Sequence, residues 1–435
     1  MKKLLLGFML MISLVTLAAC DGGGEAGDKI EIEFWHMSPV GSSSFSGMKS
    51  IISGFNDSQD KYFVKGTGFS FWDYWDKINV AISSRTAPDL GLSTIDDVEA
   101  RAKSGALYNI SDLMAADQSD NKMDLNEFRQ SQLDFATYQG DLYAMPFSAT
   151  TRVLYYNLDM FAEKGLTEAD VPTTWDELHT VAKLFDEEDS NGRLTRLGFD
   201  PTYGNATYHG WLWQKGLDFF DENQMPTLNT PGHVEVLEWI MNFNNDIERS
   251  ELTAFGEGNQ TLGINPFASE RVAMIVEVDG LYQIIKDAGA TFNYGVAPIP
   301  IPEGGTRVNW GSGFSIEMYD NGKNETDKRE GTYEFLKYLL SKDIQKELAE
   351  VNGWIMSHIS AMEEFVQGNE ILEKLLAEVD YATDKQYIPY APSWHGNDWQ
   401  PYYNQALAGT LTAAEALEAA RNNYIQKKQN YDAVN

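Results

Sequence analysis

The hydrophobic pattern from residue 29 onward switches between the two periods that distinguish strands from helices. Ile30, Ile32 and Phe34 alternate with polar residues, as in a strand with one buried face. Further along, apolar residues recur every three or four positions, as on the buried face of a helix. The pattern predicts, in chain order, strand, helix, strand, helix and strand at 29–35, 45–56, 62–69, 74–84 and 87–92. This order is typical of α/β units with a largely parallel sheet.

A second set of elements follows Gly140. Short apolar strands are predicted over 142–147 and 153–156, and another strand over 294–301. A long amphipathic helix is predicted over 332–349. The chain therefore contains two α/β systems in succession.

Length, composition and charge exclude several classes of protein. The 435 residues are 43% hydrophobic, enough to bury a core, and they suggest two or three domains or two large lobes. The 65 acidic and 33 basic residues give a net charge of −32, which argues against nucleic-acid binding because a phosphate backbone requires clustered cations. We therefore expect no nucleic-acid partner.

Common catalytic and metal motifs are missing from the sequence. No two of the six histidines lie three or four residues apart, and the chain has neither a G-x-S-x-G nor a P-loop motif. We therefore expect no metal, no cofactor and no catalysis. Residues 187–192 resemble the start of a calcium loop, but Gly198 occupies the position that requires a bidentate Glu. A polar turn is favoured there, and calcium binding stays an open alternative.

The first residues have the pattern of an export signal. Lys2 and Lys3 precede an apolar run over 4–17, and small residues lead to Cys20, the only cysteine of the chain. The sequence 17–20 (LAAC) resembles a bacterial lipobox, which implies cleavage after residue 19 and lipidation of Cys20. Residues 1–19 are then a lipoprotein signal peptide and 20–29 a lipidated cysteine with a flexible tether. The alternative is an ordinary signal peptide with an incidental cysteine.

Aromatic residues provide the positive indication of a ligand. The chain contains 11 Trp and 21 Tyr, several of them in polar loops rather than in apolar runs. They form three clusters along the sequence: Trp72, Tyr74 and Trp75; Tyr208, Trp211 and Trp213; and Trp394, Trp399, Tyr402 and Tyr403. Indole faces stack against the C–H faces of sugars, while neighbouring amides and carboxylates bind the hydroxyls. A core role is equally compatible with any single Trp, and it is favoured for Trp175 and Trp239, which lie on apolar helix faces.

A series of short fragments, spread over about 30–425, matches one family in order and spacing. They are 32–36 (IEFWH), 87–90 (APDL), 104–107 (SGAL), 110–113 (ISDL), 138–147 (YQGDLYAMPF), 154–157 (LYYN), 172–178 (PTTWDEL), 271–274 (RVAM) and 294–298 (YGVAP). The pattern resembles the family 1 extracellular solute-binding proteins of ABC importers, the group that contains maltose- and glycerol-3-phosphate-binding proteins.

The resemblance implies an α/β, two-lobed periplasmic-binding-protein-like fold of type II. A hinge of several crossing segments, expected near 147–150, 309–313 and 361–364, would join the lobes, with the ligand cleft between them. Lobe one would comprise 30–147 plus 314–361, and lobe two 151–308 plus 365–435.

The resemblance also implies which residues face the ligand. They are His36, Ser38, Trp72, Asp96, Thr150, Tyr208, Trp211, Glu277, Asp279, Trp310, Gly311, Trp354, Trp394 and Trp399. Gly280 stands where maltose binders carry an aromatic platform, and Thr150 stands where they carry a carboxylate, so the ligand is expected to differ from maltose. Few basic residues occur in the expected cleft loops, which disfavours a phosphate ligand.

The sequence thus predicts an extracytoplasmic, lipid-anchored and monomeric receptor that captures a carbohydrate, expected to be an oligosaccharide. It would deliver this ligand to the permease subunits of an ABC importer. Two alternatives stay open: a secreted carbohydrate-active enzyme with paired carboxylates, and a binding protein for a cationic or peptide solute.

Overall fold

The computed structural model describes residues 28–262, 265–311, 313–323 and 325–434. The expected signal peptide and Cys20 lie outside the described residues. The strands are Ile30–His36 (β1), Tyr62–Gly68 (β2), Leu90–Thr94 (β3), Thr137–Tyr138 (β4), Asp141–Leu142 (β5), Met145–Pro146 (β6), Arg152–Asn157 (β7), Glu187–Glu188 (β8), Leu194–Arg196 (β9), Met274–Val278 (β10), Tyr294–Ala297 (β11), Asn309–Trp310 (β12), Phe314–Met318 (β13) and Ala382–Thr383 (β14).

Helices cover more of the chain than strands do. They are Ser43–Ser58 (α1), Phe71–Ser83 (α2), Val98–Lys103 (α3), Ile110–Ala116 (α4), Gln130–Phe135 (α5), Leu158–Glu163 (α6), Trp175–Ala182 (α7), Tyr208–Gln214 (α8), Pro231–Asn242 (α9), Arg249–Leu262 (α10), Leu281–Asp287 (α11), Thr326–Leu339 (α12), Lys342–Asn352 (α13), Ile359–Phe365 (α14), Glu370–Glu378 (α15), Gln400–Leu407 (α16) and Ala413–Asp432 (α17). Ile95–Asp97 and Val379–Tyr381 are short 3-10 turns, and Trp394–Trp399 is a π-helical turn. No helix among the described residues is both long and apolar enough to cross a membrane.

The first lobe is built on a five-stranded sheet with the order β2-β1-β3-β13-β6. β1 is parallel to β2 and β3, whereas β13 is antiparallel to β3 and β6. The sheet is therefore mixed rather than largely parallel, because β13 returns to it from late in the chain. Helices α1 and α12 pack against its strands, and α13 packs against α1.

The second lobe is built on a three-stranded antiparallel sheet with the order β10-β7-β11. Alternate residues of a strand point to opposite faces, and both faces of this sheet are buried. Leu154 and Tyr156 pack in an aromatic-rich core with helices α7, α8, α9 and α17, while Val153 and Tyr155 join the apolar cluster on the opposite face.

Three segments lie side by side between the two lobes. The backbone N–H of Phe147 donates to the carbonyl of Phe314 (2.7 Å), and that of Ala149 donates to the carbonyl of Ile355 (2.8 Å). Residues 355–357 therefore contact the first crossing, whereas 361–364, the expected third crossing, lies within α14. A further segment, β14, pairs in parallel with β12.

One long helix predicted from the sequence is divided in the structure. The apolar period over 332–349 belongs to two helices, α12 and α13, which are separated at Leu340 and Ser341. Ser341 has an extended backbone and precedes the first turn of α13, and serine is a preferred residue at that position. Both helices have one buried face, so the three- and four-residue spacing of apolar residues continues across the break. The spacing alone therefore does not indicate where the first helix ends.

Glycine is required where the crossing segments pack most closely. Gly313 has φ +87°, and a Cβ at this residue would lie 1.8 Å from the carbonyl oxygen of Ser148. That oxygen belongs to the neighbouring crossing, so it cannot move away as a flexible side chain could.

We expect Gly313→Ala to lower the free energy of unfolding by on the order of 3 kcal/mol, from the strained φ together with overpacking. Gly105→Ala is the matched control, because Gly105 has φ +70° but has no atom within 4 Å of an added Cβ. It should cost about 1 kcal/mol. Chemical denaturation of both variants measures the difference. Equal losses in the free energy of unfolding would show that close packing at the crossing adds nothing to the cost of Gly313→Ala.

Candidate ligand-binding site

A cavity of about 810 Å³ lies between the two lobes. Thr150, Trp310 and Gly311, which belong to the crossing segments, line its base. A volume of this size is typical of small-molecule binding sites. The cavity is therefore the candidate ligand-binding site.

The side of the cavity formed by the first lobe is aromatic. Its rings, which we call the aromatic wall, belong to Phe71, Trp72, Trp75, Phe314 and Trp354. Ring centroids are 5.9 Å apart for Trp75 and Phe314 and 5.2 Å apart for Phe314 and Trp354, so the rings form one continuous surface. Trp72 is 77% exposed and leaves its indole available to a ligand.

Helix α2 presents three of these rings in its first turn and a half. Ser70 caps the helix by accepting a hydrogen bond from the N–H of Asp73, which fixes where the helix begins. The helix starts at Phe71, three residues before the predicted start. Tyr74 faces the core and donates its hydroxyl to the carbonyl of Leu92, so the rings on either side of it are directed to the cavity.

The side formed by the second lobe is polar. We call it the polar wall: Arg152, Asn205, Asp279, Gln283, Asp287, Asp384 and Lys385. Asn205 donates to the carboxylate of Glu277 (2.7 Å) and accepts from Arg152 (3.2 Å), so its amide is held in a fixed orientation. The wall offers hydrogen-bond donors and acceptors to a ligand that covers the rings opposite.

One ion pair joins the two sides of the cavity. Asp96, in the 3-10 turn after β3, lies 2.9 Å from the Nζ of Lys385. Burial raises the pKa of the neighbouring Asp384 to about 6, and repulsion from Asp96 acts in the same direction. Burial opposes the charge of Lys385, but Asp96 and Asp384 outweigh burial and raise the pKa of Lys385.

Asp279 is the most deeply buried carboxyl of the polar wall. It accepts a hydrogen bond of 2.7 Å from the backbone N–H of Ile355, which lies in a crossing segment. Burial raises the pKa of Asp279 to about 7, although this hydrogen bond and the charge of Arg152 act against the shift. Asp279 therefore links the polar wall to the crossing and is costly to ionise.

Trp310 is held on several sides. Its indole N–H donates to Asp384 (3.0 Å), and the guanidinium of Arg152 lies 4.2 Å from the ring centroid and donates to the Trp310 carbonyl. The ring of His209 approaches edge-on, with centroids 4.2 Å apart. The ring face beneath Arg152 is thus occupied by protein, and Trp310 offers a ligand less surface than Trp72 does.

The structure brings half of the expected ligand-binding residues together around the cavity. These are Trp72, Asp96, Thr150, Asp279, Trp310, Gly311 and Trp354. They come from both lobes and from the crossing segments.

The other half lie elsewhere, two of them inside the first lobe. His36 is buried, and its Nδ1 accepts from the N–H of Ser38, which is also buried. Burial lowers the pKa of His36 to about 4, so the ring is a neutral part of the core rather than a ligand contact. The expectation that the loop after β1 faces the ligand is corrected for both residues.

Four aromatic residues expected at the ligand belong to the core of the second lobe. Tyr208 donates its hydroxyl to the carbonyl of His233 and packs against Trp399 at 4.8 Å. The indole N–H groups of Trp211 and Trp394 donate to the carbonyls of Pro201 and Gln386. All four side chains are almost fully buried: Tyr208, Trp211, Trp394 and Trp399. Their partners within the core correct the expectation that they stack on ligand.

Glu277 lies behind the polar wall rather than in it. It is buried behind Asn205, and its carboxylate accepts from the Asn205 amide and from the N–H of Val278 (3.0 Å). Burial raises the pKa of Glu277, and these hydrogen bonds oppose the shift. Glu277 therefore orients a residue of the polar wall instead of lining the cavity.

Several residues of the cavity were not singled out from the sequence. Trp75 belongs to the aromatic cluster around Trp72, whereas Phe71 was missed and could have been found because it lies four residues before Trp75 on the same helix face. Arg152 and Lys385 are the two basic residues that line the cavity, so the cleft contains few basic residues, as expected. Lys385 carries no local signal, because only the folded chain brings it to Asp96.

The acidic stretch near 187–192 forms a turn. The Asp189 carboxylate accepts from the backbone N–H groups of Asn191 (2.8 Å) and Arg193 (3.1 Å) and pairs with the Arg193 side chain. Among the described residues no group of three or more His, Cys, Asp or Glu side chains is arranged to hold a metal.

The raised pKa of Asp279 has a consequence for stability. The folded protein holds this proton more tightly than the unfolded chain, so ionisation costs stability. The cost is absent below about pH 4, grows as the pH rises, and is complete above about pH 7. The melting temperature of Asp279→Asn minus that of the wild type should therefore increase between pH 4 and pH 7. Above pH 7 this difference should change little.

Thermal unfolding of both proteins across this pH range measures the effect. Asn can still accept from the N–H of Ile355, so the hydrogen bond is preserved. The same substitution at the exposed Asp287 serves as the control. A difference between Asp279→Asn and wild type that does not change with pH would contradict the buried titration.

Comparisons with known proteins agree with this architecture. The structure of CpMnBP1 with mannotriose bound has a TM-score of 0.78 and 19% identity, covering 91% of this chain and 100% of that chain. An ABC substrate-binding protein from Listeria monocytogenes in complex with cycloalternan has a TM-score of 0.76 and 19% identity, covering 92% and 100%. The two-lobed α/β fold implied by the sequence is therefore confirmed.

Sequence relatives are distant but extended. The sn-glycerol-3-phosphate-binding periplasmic protein UgpB of Rhizobium meliloti (strain 1021) is 24% identical over 379 residues, 82% of each chain. A binding protein of Brucella abortus (strain 2308) is 24% identical over 269 residues, and this chain spans only 62% of the length of that relative. The family model for bacterial extracellular solute-binding proteins matches residues 50–377, about three quarters of the chain. The chain belongs to the bacterial extracellular solute-binding protein family.

Proposed function

We propose that this protein captures an oligosaccharide in the cavity between its lobes and delivers it to the permease of an ABC importer. The observation that carries this proposal is the opposition of the aromatic wall to the polar wall across one cavity. A pyranose ring has C–H faces that stack on indole and hydroxyls at its rim that require directed hydrogen bonds.

A departure from maltose binders supports a different sugar arrangement. A Cβ at Gly280 would lie 3.5 Å from the indole of Trp354, so Trp354 covers the place where an aromatic residue at 280 would stand. The platform is supplied from the opposite side of the cleft. A ligand would therefore stack mainly on the first lobe and hydrogen-bond mainly to the second.

The same proposal includes the division into lobes at 30–147 plus 314–361 and 151–308 plus 365–435. It is supported by the strands, because the five-stranded sheet draws its strands from the first pair of ranges and the three-stranded sheet from the second. Ligand that contacts both walls would shift the protein toward a closed state. We propose no catalytic step.

A phosphate ligand, as named for the UgpB relative, fits the cavity poorly. Both cations of the cavity have partners: Arg152 donates to Trp310 and Asn205, and Lys385 pairs with Asp96. The carboxyl groups that line it outnumber the cations: Asp96, Asp279, Asp287 and Asp384. A phosphate would meet repulsion rather than free guanidinium or ammonium groups.

The excess of carboxyl groups favours a cationic solute as the second candidate. An ammonium group could pair with Asp279 or Asp287 and lie over an indole of the aromatic wall. This alternative requires the same cavity and differs only in ligand class.

A thermal-shift screen separates these candidates, because ligand that binds the native state raises the melting temperature. Mannotriose, maltotriose and cycloalternan test oligosaccharides, spermidine tests cations, and sn-glycerol 3-phosphate tests phosphates. We expect a rise with an oligosaccharide. A rise with spermidine or glycerol phosphate alone would overturn the ligand class, and cleavage products from incubated glycans would overturn the proposed absence of catalysis.

Membership of an extracellular family means that the protein acts outside the cytoplasm. We further propose that Cys20 carries a lipid and anchors the protein, which acts as a monomer. Metabolic labelling with an alkyne fatty acid tests the anchor. Label that persists in a Cys20→Ala variant would refute it.

The aromatic wall gives a direct test of sugar stacking. Trp72→Ala should weaken binding of the oligosaccharide found in the screen about tenfold, since loss of about 1.4 kcal/mol is reasonable for one exposed stacking ring. Because Trp72 is 77% exposed, the melting temperature without ligand should be unchanged. Isothermal titration measures the affinity.

Two controls accompany this variant. Trp72→Phe keeps an aromatic face and should retain most of the affinity. Val80→Ala alters an exposed residue of the same helix outside the cavity and should bind as wild type. Equal affinities for Trp72→Ala and Val80→Ala would show that Trp72 does not contact the ligand.

A further inference from the structure

The segment 380–385, which we call the strap, is attached to the first lobe at both ends. Asp380 accepts from the side chain of Arg129 (2.8 Å), and Lys385 pairs with Asp96 (2.9 Å). Between these pairs, β14 lies alongside β12 in the crossing. The strap thus connects the crossing to residues on the first lobe's side of the cleft.

The two ion pairs differ in their surroundings. The carboxylate of Asp380 is 70% exposed, so water and salt screen its pair with Arg129. Asp96 is only 11% exposed and Lys385 only 22%. Attraction between charges sheltered from water is stronger than at the surface, so the attraction within the inner pair is the stronger of the two.

The ammonium group of Lys385 lies among carboxyl groups from both sides of the cleft. The carboxyl groups of Asp97 and Asp384 also face it, in addition to Asp96. Its Nζ lies 5.4 Å from the ring centroid of Trp310, and His395 lies close enough for its charge to interact with Lys385. Arg101 lies 3.6 Å from Asp97, and Arg152 is close enough to Asp384 for their charges to interact. Without the ammonium group of Lys385, Asp96 and Asp384 would repel each other across the cleft with less compensating charge, which opposes closure.

We propose that the Asp96–Lys385 ion pair is a latch between the lobes that sets how much of the unliganded protein is closed. Lys385 is then a positioning residue, and Asp96, expected from the family to accept ligand hydroxyls, is engaged by protein. The consequence for affinity rests on the proposed function: the apparent affinity scales with the fraction of protein in the binding-competent closed state.

Small-angle X-ray scattering without ligand tests the latch. Lys385→Met keeps the length of the side chain and removes its charge, so we expect a larger radius of gyration than wild type. Lys374→Met is the matched control, because Lys374 pairs with Glu370 (2.7 Å) in the same helix, α15, so that this ion pair lies within one lobe. It should leave the radius unchanged.

Two further variants separate a latch from a general loss of structure. Asp96→Lys combined with Lys385→Asp reverses the pair and should return the radius toward the wild-type value, whereas Lys385→Arg should preserve it. An unchanged radius in Lys385→Met would overturn the proposal, and so would an increase that the reversed pair fails to correct. If Lys385→Met does not fold, Asp96→Asn breaks the same pair and is judged by the same radius.

The measurement contains no ligand, so it is independent of the ligand screen. If no oligosaccharide raises the melting temperature but Lys385→Met has a larger radius of gyration than wild type, the ligand class is refuted and the latch is supported. A successful screen with an unchanged radius would refute the latch alone.

Discussion

The side-chain amide of Asn309 ties together the segments that pass between the lobes. Its Oδ1 accepts from the Thr151 hydroxyl (3.2 Å) and from the backbone N–H of Arg152 (3.3 Å), and its Nδ2 donates to the carbonyl of Glu378 (3.0 Å). A buried amide with all these partners holds together β7, β12 and the end of helix α15, because leaving any of these groups unpaired in the interior would cost about 1–3 kcal/mol. Arg152 and Trp310, which follow directly in their strands, take their positions in the cavity from this contact.

The two walls place opposite demands on the protein. The aromatic wall gains from contact with any apolar surface, whereas the polar wall keeps carboxyl groups in a partly dry cavity. Burial raises the pKa of Asp279 to about 7 and that of Asp384 to about 6, so burial disfavours the charged form of both carboxyl groups. A ligand that supplies hydroxyl donors offsets this cost only when both walls surround it. In the proposed function, affinity and closure would therefore be coupled through the same residues.

The sequence predicted the fold better than the site, and particular residues show why. Strands and helices follow from local periodicity, and Trp72 was identified because it stands in a polar context. The same argument failed for Trp394 and Trp399, whose Gly, Asn and Asp neighbours lie in a π-helical turn while both indoles point into the core. Lys385 could not be predicted, because its partner Asp96 is nearly 300 positions away in sequence and only the crossing brings them together. Polar neighbours in the sequence thus do not indicate whether an aromatic ring points into the core or into the cavity.

The aromatic residues that lie in the core of the second lobe still support the cavity, because they make this lobe rigid. Trp394 packs on Phe219 (4.6 Å), and the neighbouring His395 lies 4.4 Å from His209, which in turn contacts Trp310. A core built of interlocked rings resists deformation, since close-packed side chains have few alternative arrangements. The second lobe can then change its position only as a unit. The proposed closure would then take place at the crossing segments, where Gly311 and Gly313 permit the tight backbone path that a bulkier residue would block.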